Sequence, residues 1–239
     1  MTSPPEQTEP QDIVIFGGAG DLSFRKLLPA LYMAHSHDKL SGDPRIIGVG
    51  RQDWSDQDYR DFIHQHSPAF IEAGAMNESQ WQGFLQRLLY VRIDITQASD
   101  FQALKALCPQ SCLRVFYLAT APSLFTGICA HLSQAGLVDA HSRVVLEKPL
   151  GTDLASARQI NTEVAKYFDE KQIYRIDHYL GKETVPTDSA RCHRTISMGV
   201  GVFLDPPEGE RLCGSSHSVA ARSGSAYSHR IVSLPANRW

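Results

Sequence analysis

The sequence predicts an α/β fold built on a doubly wound parallel sheet, and three observations carry that expectation. Short apolar runs recur as strands and are each followed by residues with helical spacing; the first run ends in clustered glycines; and 239 residues suffice for one large α/β domain plus part of another. A Pro- and Gln-rich leader occupies residues 1–11. Asp12 to Phe16 (DIVIF) reads as the first strand, stopped by Gly17-Gly18-Ala19-Gly20, and Leu22, Leu27, Leu28, Leu31 and Tyr32 then follow at helical intervals. Arg45 to Gly50 (RIIGVG) is the second strand, Ser55 to His66 and Glu78 to Leu89 are helices, and Tyr90 to Ile95 is a strand. Asn77 with Gln80 fits a capping box at the start of the second of those helices. A helix around Phe101 to Leu107 and a strand Leu113 to Ala119 come next, then a helix Ser123 to Gln134 stopped by Gly136. Strand Arg143 to Glu147 and helix Leu154 to Phe168 complete the pattern. Such alternation implies a parallel sheet covered on both faces.

Composition narrows the function classes. A net charge of −3 with scattered basic residues argues against a sequence-blind nucleic-acid binder. No apolar run approaches the roughly 18 to 20 residues needed to span a bilayer, and Met1-Thr2-Ser3-Pro4-Pro5-Glu6 lacks a signal-peptide pattern. A cytoplasmic protein with no membrane partner is expected. Cys108, Cys112, Cys129, Cys192 and Cys213 are odd in number and lack paired metal spacing, so they read as reduced, mostly buried thiols, with no metal site. A break comes near Val185. From Pro186 to Trp239 there is neither lysine nor glutamine, apolar periodicity vanishes, and Gly214 to Ser225 is of low complexity. Residues 186–239 are therefore expected to be disordered or poorly packed. A shifted reading frame is one origin for such a tail; translating the other two frames of the DNA and finding no coherent α/β continuation would sink that idea.

Two local features suggest chemistry. The turn Gly17-Gly18-Ala19-Gly20-Asp21-Leu22 stands between a strand and a helix, where a Rossmann-like fold cradles a dinucleotide pyrophosphate against backbone N–H groups and the positive helix end. It departs from G-x-G-x-x-G, and glycine also serves any tight strand-to-helix connection. The second strand ends Gly48-Val49-Gly50-Arg51, with arginine where NAD-selective enzymes place an acid for the ribose hydroxyls. A guanidinium there suits the 2′-phosphate of NADP, although an ordinary surface arginine is the plain alternative. Further on, Tyr174-Arg175-Ile176-Asp177-His178-Tyr179-Leu180-Gly181-Lys182-Glu183 packs acid, imidazole, phenol and cations into one short segment. A carboxylate beside a histidine can set its tautomer, and His178, Tyr179 and Lys182 are donors of the kind that hold a phosphate, which points to a phosphorylated substrate. The alternative is a solvated helix start with satisfied polar groups.

Taken together, the Gly17 to Leu27 turn with its Arg25-Lys26 pair, Glu147-Lys148-Pro149-Leu150-Gly151 after a strand, and Arg175 to Glu183 resemble the glucose-6-phosphate dehydrogenase family. The family pattern is G-x-x-G-D-L-x-x-R-K-L, then E-K-P-x-G, then R-I-D-H-Y-L-G-K-E; the resemblance covers about Asp12 to Val185. Tyr117 to Pro122 also looks like the family's Y-L-A-x-P-P, with Ala121 in place of a proline, and Ala19 stands where the family often has Ser or Thr. The resemblance implies that Gly17, Gly18, Ala19, Gly20, Asp21, Leu22 and Arg51 hold NADP. Asp94 and Ile95 would lie beside its adenine end, and Lys148 near both nicotinamide and sugar. Lys26, His178, Tyr179 and Lys182 would hold the phosphate and nearby hydroxyls of glucose 6-phosphate. Asp177 would orient a general-base histidine that takes the C1 hydroxyl proton while hydride passes to the nicotinamide, giving a lactone and NADPH. Plain readings stay open for Lys148 as a strand-end cation, Lys26 as a helix-face charge and Asp94 as a turn former.

The implied organisation is an NADP-binding Rossmann-like domain at 12–176, the start of a substrate domain at 177–185 and the anomalous tail at 186–239. In the family the general base comes from a large second domain, which also carries most of the homo-oligomer interface. His193, His217 and His229 stand in nothing like the family's D-H-V-Q-I context. An incomplete chain of weak or no activity is therefore expected, with a non-catalytic NADP-binding module as the alternative.

Overall fold

The apolar runs form parallel strands in a computed structural model that describes residues 11–40, 44–108, 112–147, 150–176 and 231–232. These strands are β1 (Gln11–Phe16), β2 (Arg45–Gly50), β3 (Leu88–Arg92), β4 (Leu113–Leu118), β5 (Ser142–Glu147), β6 (Ile173–Ile176) and the two-residue β7 (Ile231–Val232). They form one sheet in the order β3-β2-β1-β4-β5-β6-β7, and every neighbouring pair is parallel. Chain order reverses direction across the sheet between β1 and β4, so the crevice at their carboxyl ends is where such folds bind ligands.

The helices are α1 (Leu28–Ser36), α2 (Asp56–His66), α3 (Glu78–Leu85), α4 (Phe101–Leu107), α5 (Phe125–Gln134) and α6 (Leu154–Val164). Alternation along β1 sorts them into two layers. Ile13 and Ile15 share a core with Tyr32, Tyr59, Trp81 and Phe84 of the first three helices. Val14 and Phe16 share the other with Phe101, Ile128 and Val164 of the last three. Both faces of the strand are therefore dry, which is why it reads as an unbroken apolar run.

Several boundaries differ from the sequence expectation. The helix expected to reach Leu89 stops at Leu85, because Leu88 and Leu89 are in register with Ile46 and Ile47 and belong to β3. The strand expected to reach Ile95 correspondingly ends at Arg92. The helix expected to reach Phe168 stops at Val164; the chain then turns, and buried Phe168 meets the Phe116 ring at 6.4 Å between centroids. Ile173–Ile176 is a fully buried strand paired to β5, so the first three residues of the Tyr174 to Glu183 segment are strand, while Asp177 to Glu183 lie outside the described residues. Asn77 caps α3 by accepting from Gln80 N at 3.1 Å, but the reciprocal half of the box is replaced: Asn77 N donates to Tyr32 Oη at 2.8 Å.

A wide π turn, Ser23–Leu27, separates the glycine turn from α1, with Leu28 N donating to Ser23 O. Pro29 has no N–H to offer one residue later, which lowers the cost of opening the ladder there. At the amino edge of the sheet charges are internally matched. Buried Asp12 accepts from Arg45 Nε at 2.8 Å and Nη2 at 2.9 Å, and buried Arg114 donates to Leu137 O at 2.9 Å. Cys108, Cys112 and Cys129 are free and buried, as expected; Cys192 and Cys213 lie outside the described residues. Among the described residues no helix is long and apolar enough to cross a membrane. Apart from β7, the 186–239 stretch lies outside the described residues.

Candidate functional site

The glycine turn joins β1 to the π turn under tight steric control. Gly17 has φ 86°, a left-handed backbone that favours glycine, and a Cβ there would lie 2.5 Å from the Ala119 carbonyl oxygen at the end of β4. At Gly18 a Cβ would meet Gly48 Cα at 2.6 Å. The ends of β1, β2 and β4 thus approach too closely for side chains. Gly17 N and Gly18 N both donate to Val49 O, at 3.0 and 2.9 Å, and Gly20 N donates to Gly17 O at 2.9 Å. Three of the turn's N–H donors thus hold the turn itself together. The N–H groups of Ala19, Asp21 and Leu22 make no hydrogen bond among the described residues. They are the unused donors of a helix start, where an anion is favoured.

Two buried hydroxyls that sequence reading missed brace this turn. Ser23 Oγ donates to Gly17 O at 2.7 Å, and Tyr59 Oη donates to Gly18 O at 3.1 Å. Burial pushes the Tyr59 phenol above its ordinary pKa, with Tyr90 adding to the effect, so it stays a donor. A Cβ at Gly48 would sit 2.5 Å from the Tyr59 ring, which explains the first glycine of RIIGVG. Neither brace carries a motif: Ser23 occupies a variable position of the glycine-turn pattern, and Tyr59 reaches the turn from α2, outside any pattern.

Arg51 follows β2 and is exposed beside a cleft of about 610 Å³ lined by Arg51, Arg92, Asp94, Ser99, Asp100 and Ala103. Asp94 Oδ1 accepts from Thr96 N at 3.0 Å and Thr96 Oγ1 at 2.7 Å, and Asp94 N donates to Asp100 Oδ2 at 3.0 Å. The Thr96 backbone bond first, then its hydroxyl, hold the Asp94 carboxyl below the usual range, and Arg51 adds to this. Asp94 is thus a turn former as well as a cleft wall. Ile95 is half-buried next to it and packs on the core beneath. Lys26 is exposed in the π turn; neighbouring Arg25 lies over the Phe70 ring at 5.0 Å and pairs with Asp21 at 3.5 Å.

On the other side of β4, Tyr117 Oη donates to Glu147 Oε1 at 2.9 Å. Burial, then the Glu147 charge and bond, push the Tyr117 phenol well up, so this pair is a neutral donor on a carboxylate. Glu147 is in register with Ile176, so the segments containing Lys148 and Asp177 leave adjacent strand ends. Lys148, Asp177, His178, Tyr179 and Lys182 lie outside the described residues. Arg175 is structural: nearly buried, it donates to Asn161 Oδ1 at 2.9 Å and to Glu170 Oε1 and Oε2 at 2.8 and 3.3 Å. It is therefore not one of the cations available to a ligand.

The family model described as "Glucose-6-phosphate dehydrogenase, NAD binding domain" matches residues 14–186. This chain belongs to the glucose-6-phosphate dehydrogenase family. Glucose-6-phosphate 1-dehydrogenase of Mycolicibacterium smegmatis is 47% identical over 191 residues, which covers 77% of this chain and 39% of the relative. The enzyme of Zymomonas mobilis is 47% identical over 174 residues, covering 72% of this chain and 36% of the relative. The chain thus spans well under half the length of these curated relatives. The crystal structure of glucose-6-phosphate 1-dehydrogenase from Mycobacterium avium superposes with a TM-score of 0.67 at 32% identity, over 73% of this chain and 37% of that one. A glucose-6-phosphate dehydrogenase in complex with its substrate gives 0.65 at 32% identity, over 75% of this chain and 39% of that one. The glycine turn and strands β2 to β6 therefore lie within the segment that matches the NAD binding domain of this family.

Proposed function

We propose that this chain binds NADP across the carboxyl ends of β1, β2 and β4 and serves the oxidation of glucose 6-phosphate at C1. The observation that carries the reading is the Gly17 turn, whose unused N–H groups at Ala19, Asp21 and Leu22 lie at a helix start, with exposed Arg51 at the end of the neighbouring strand. Such donors fit a diphosphate, and an exposed guanidinium fits a 2′-phosphate. NADP bound there would supply the hydride acceptor for C1.

The chain's own residues bind and orient. Gly17 and Gly18 let the ends of β1, β2 and β4 close together where a Cβ would strike backbone, and the Ser23 and Tyr59 hydroxyls keep the turn from relaxing. Asp94 and Ile95 flank the adenine end. Lys26, His178, Tyr179 and Lys182 hold the sugar phosphate, and Lys148 spans sugar and cofactor. Asp177 orients the histidine that takes the C1 hydroxyl proton; His193, His217 and His229 are not assigned that role. The lactone is the product, and the cytoplasm is the compartment for the reaction. A second reading is an NADP-binding module without turnover.

One sample distinguishes the two. NADP binding to the purified chain is followed by calorimetry, and NADPH formation with glucose 6-phosphate by absorbance, with Asp177→Asn as control. Turnover well above that control supports the dehydrogenase reading, since positioned acid–base groups contribute about 10² to 10⁴ in rate. Binding without turnover supports the module; no binding removes both.

A further inference from the structure

Arg92 is the last residue of β3 and the register partner of Gly50, the residue before Arg51. Ile93 N donates to Gly50 O at 2.8 Å, so the two strand ends stay locked together as they leave the sheet. Both arginines are exposed and line the same cleft. The acids of that cleft are engaged inward. Asp94 accepts from Thr96, and Asp100 accepts from Asp94 N through Oδ2 and from Ser99 Oγ at 3.3 Å through Oδ1. Arg92 itself faces Asp53, with Nη1 to Oδ1 at 3.4 Å. Side-chain exposures of 65% and 91% make this a long, solvent-screened pair, which holds its partners only weakly.

We propose that Arg92 is a specificity-determining residue, a second cation for the 2′-phosphate of NADP that acts with Arg51 and is kept in place by Asp53 until the phosphate arrives. The inference rests on the NADP reading above. A phosphate monoester near neutral pH carries most of two negative charges and three acceptor oxygens, more than a single guanidinium fork satisfies. Arg51 and Arg92 enter the cleft from two adjacent strands and so can approach it from two directions. With NAD, whose ribose bears a hydroxyl there, Arg92 remains with Asp53 and adds nothing. Discrimination by Arg92 is thereby separated from binding of the rest of the dinucleotide.

The test is calorimetric titration of the full chain with adenosine 2′,5′-bisphosphate (2′,5′-ADP) and with 5′-AMP, which differ only in the 2′-phosphate. Arg92→Gln is expected to weaken 2′,5′-ADP at least about tenfold while changing 5′-AMP less than about twofold, the effect of removing a charged hydrogen-bond partner. Asp53→Asn is expected to tighten 2′,5′-ADP by about two- to threefold, as an exposed competing pair is lost. Equal weakening of both ligands by Arg92→Gln, or of neither, overturns the inference. Arg51→Gln runs alongside: if it selectively loses 2′,5′-ADP while Arg92→Gln does not, the NADP reading stands and Arg92 is a bystander. A parent chain that does not prefer 2′,5′-ADP overturns both.

Discussion

Gly17 shows how much rests on one missing methyl group. Its left-handed backbone and the Ala119 carbonyl 2.5 Å from where a Cβ would stand leave no direction for relief. Ala119 is itself fixed, since its N–H donates to Phe16 O at 3.0 Å. Gly17→Ala is therefore expected to cost about 1–3 kcal/mol from overpacking, with added backbone strain. A lower urea midpoint with unchanged slope would record the loss, and NADP binding should fall with it because the turn supplies the diphosphate donors. Gly20 differs. It is exposed, and its Cβ would meet Gly17 O at 3.1 Å, a contact that a small shift relieves.

At the level of elements, helix starts carry much of the local specification. Ser55 Oγ accepts from Asp58 N at 3.2 Å, and Asp58 Oδ2 accepts from Ser55 N at 2.8 Å. The Ser55 side-chain bond, then its backbone bond, lower the Asp58 pKa from 3.8. Asp153 and Ser156 repeat the arrangement at α6. A carboxylate with a depressed native pKa adds stability that is present above its unfolded value and is lost as pH falls through the native one. Ser55→Ala should lower stability by about 0.5–2 kcal/mol at neutral pH. That deficit should shrink once the pH drops below 3.8, as Asp58 protonates in the parent too. Denaturant titrations of both proteins across that range measure it; a deficit independent of pH would detach the cap from the Asp58 charge.

Across the whole molecule, the sheet separates stability from chemistry. Its amino edge closes on matched pairs such as Asp12 with Arg45, while its carboxyl edge leaves N–H groups and Arg51 open. Between them lies a core of stacked aromatics. The Phe116 ring is fully buried, 6.5 Å from Phe16 and 6.4 Å from Phe168 by centroids. Phe116→Ala is expected to destabilise by about 3–5 kcal/mol through lost burial and a residual cavity. Against a total of about 5–15 kcal/mol for an ordinary domain, this brings the chain close to unfolding, and calorimetry should show a large fall in Tm.

The sequence by itself determined the sheet-and-helix alternation, the glycine turn after β1, Arg51 after β2 and the family, because each is written in neighbouring residues through apolar spacing or a contiguous motif. Its errors fell where a distant partner outweighs local pattern. Leu88 and Leu89 continue a helical spacing, yet pairing with Ile46 and Ile47 draws them into β3. Tyr174 to Ile176 read as part of a polar cluster, yet burial against β5 makes them strand and makes Arg175 a structural partner of Glu170. Only the tertiary structure decided which N–H groups of the turn remain free, that Ser23 and Tyr59 brace it, and that Arg92 faces the same cleft as Arg51. Arg51 and Arg92 are 41 positions apart in the chain, and the pairing of β2 with β3, a property of two segments and not of one, brings both to one cleft.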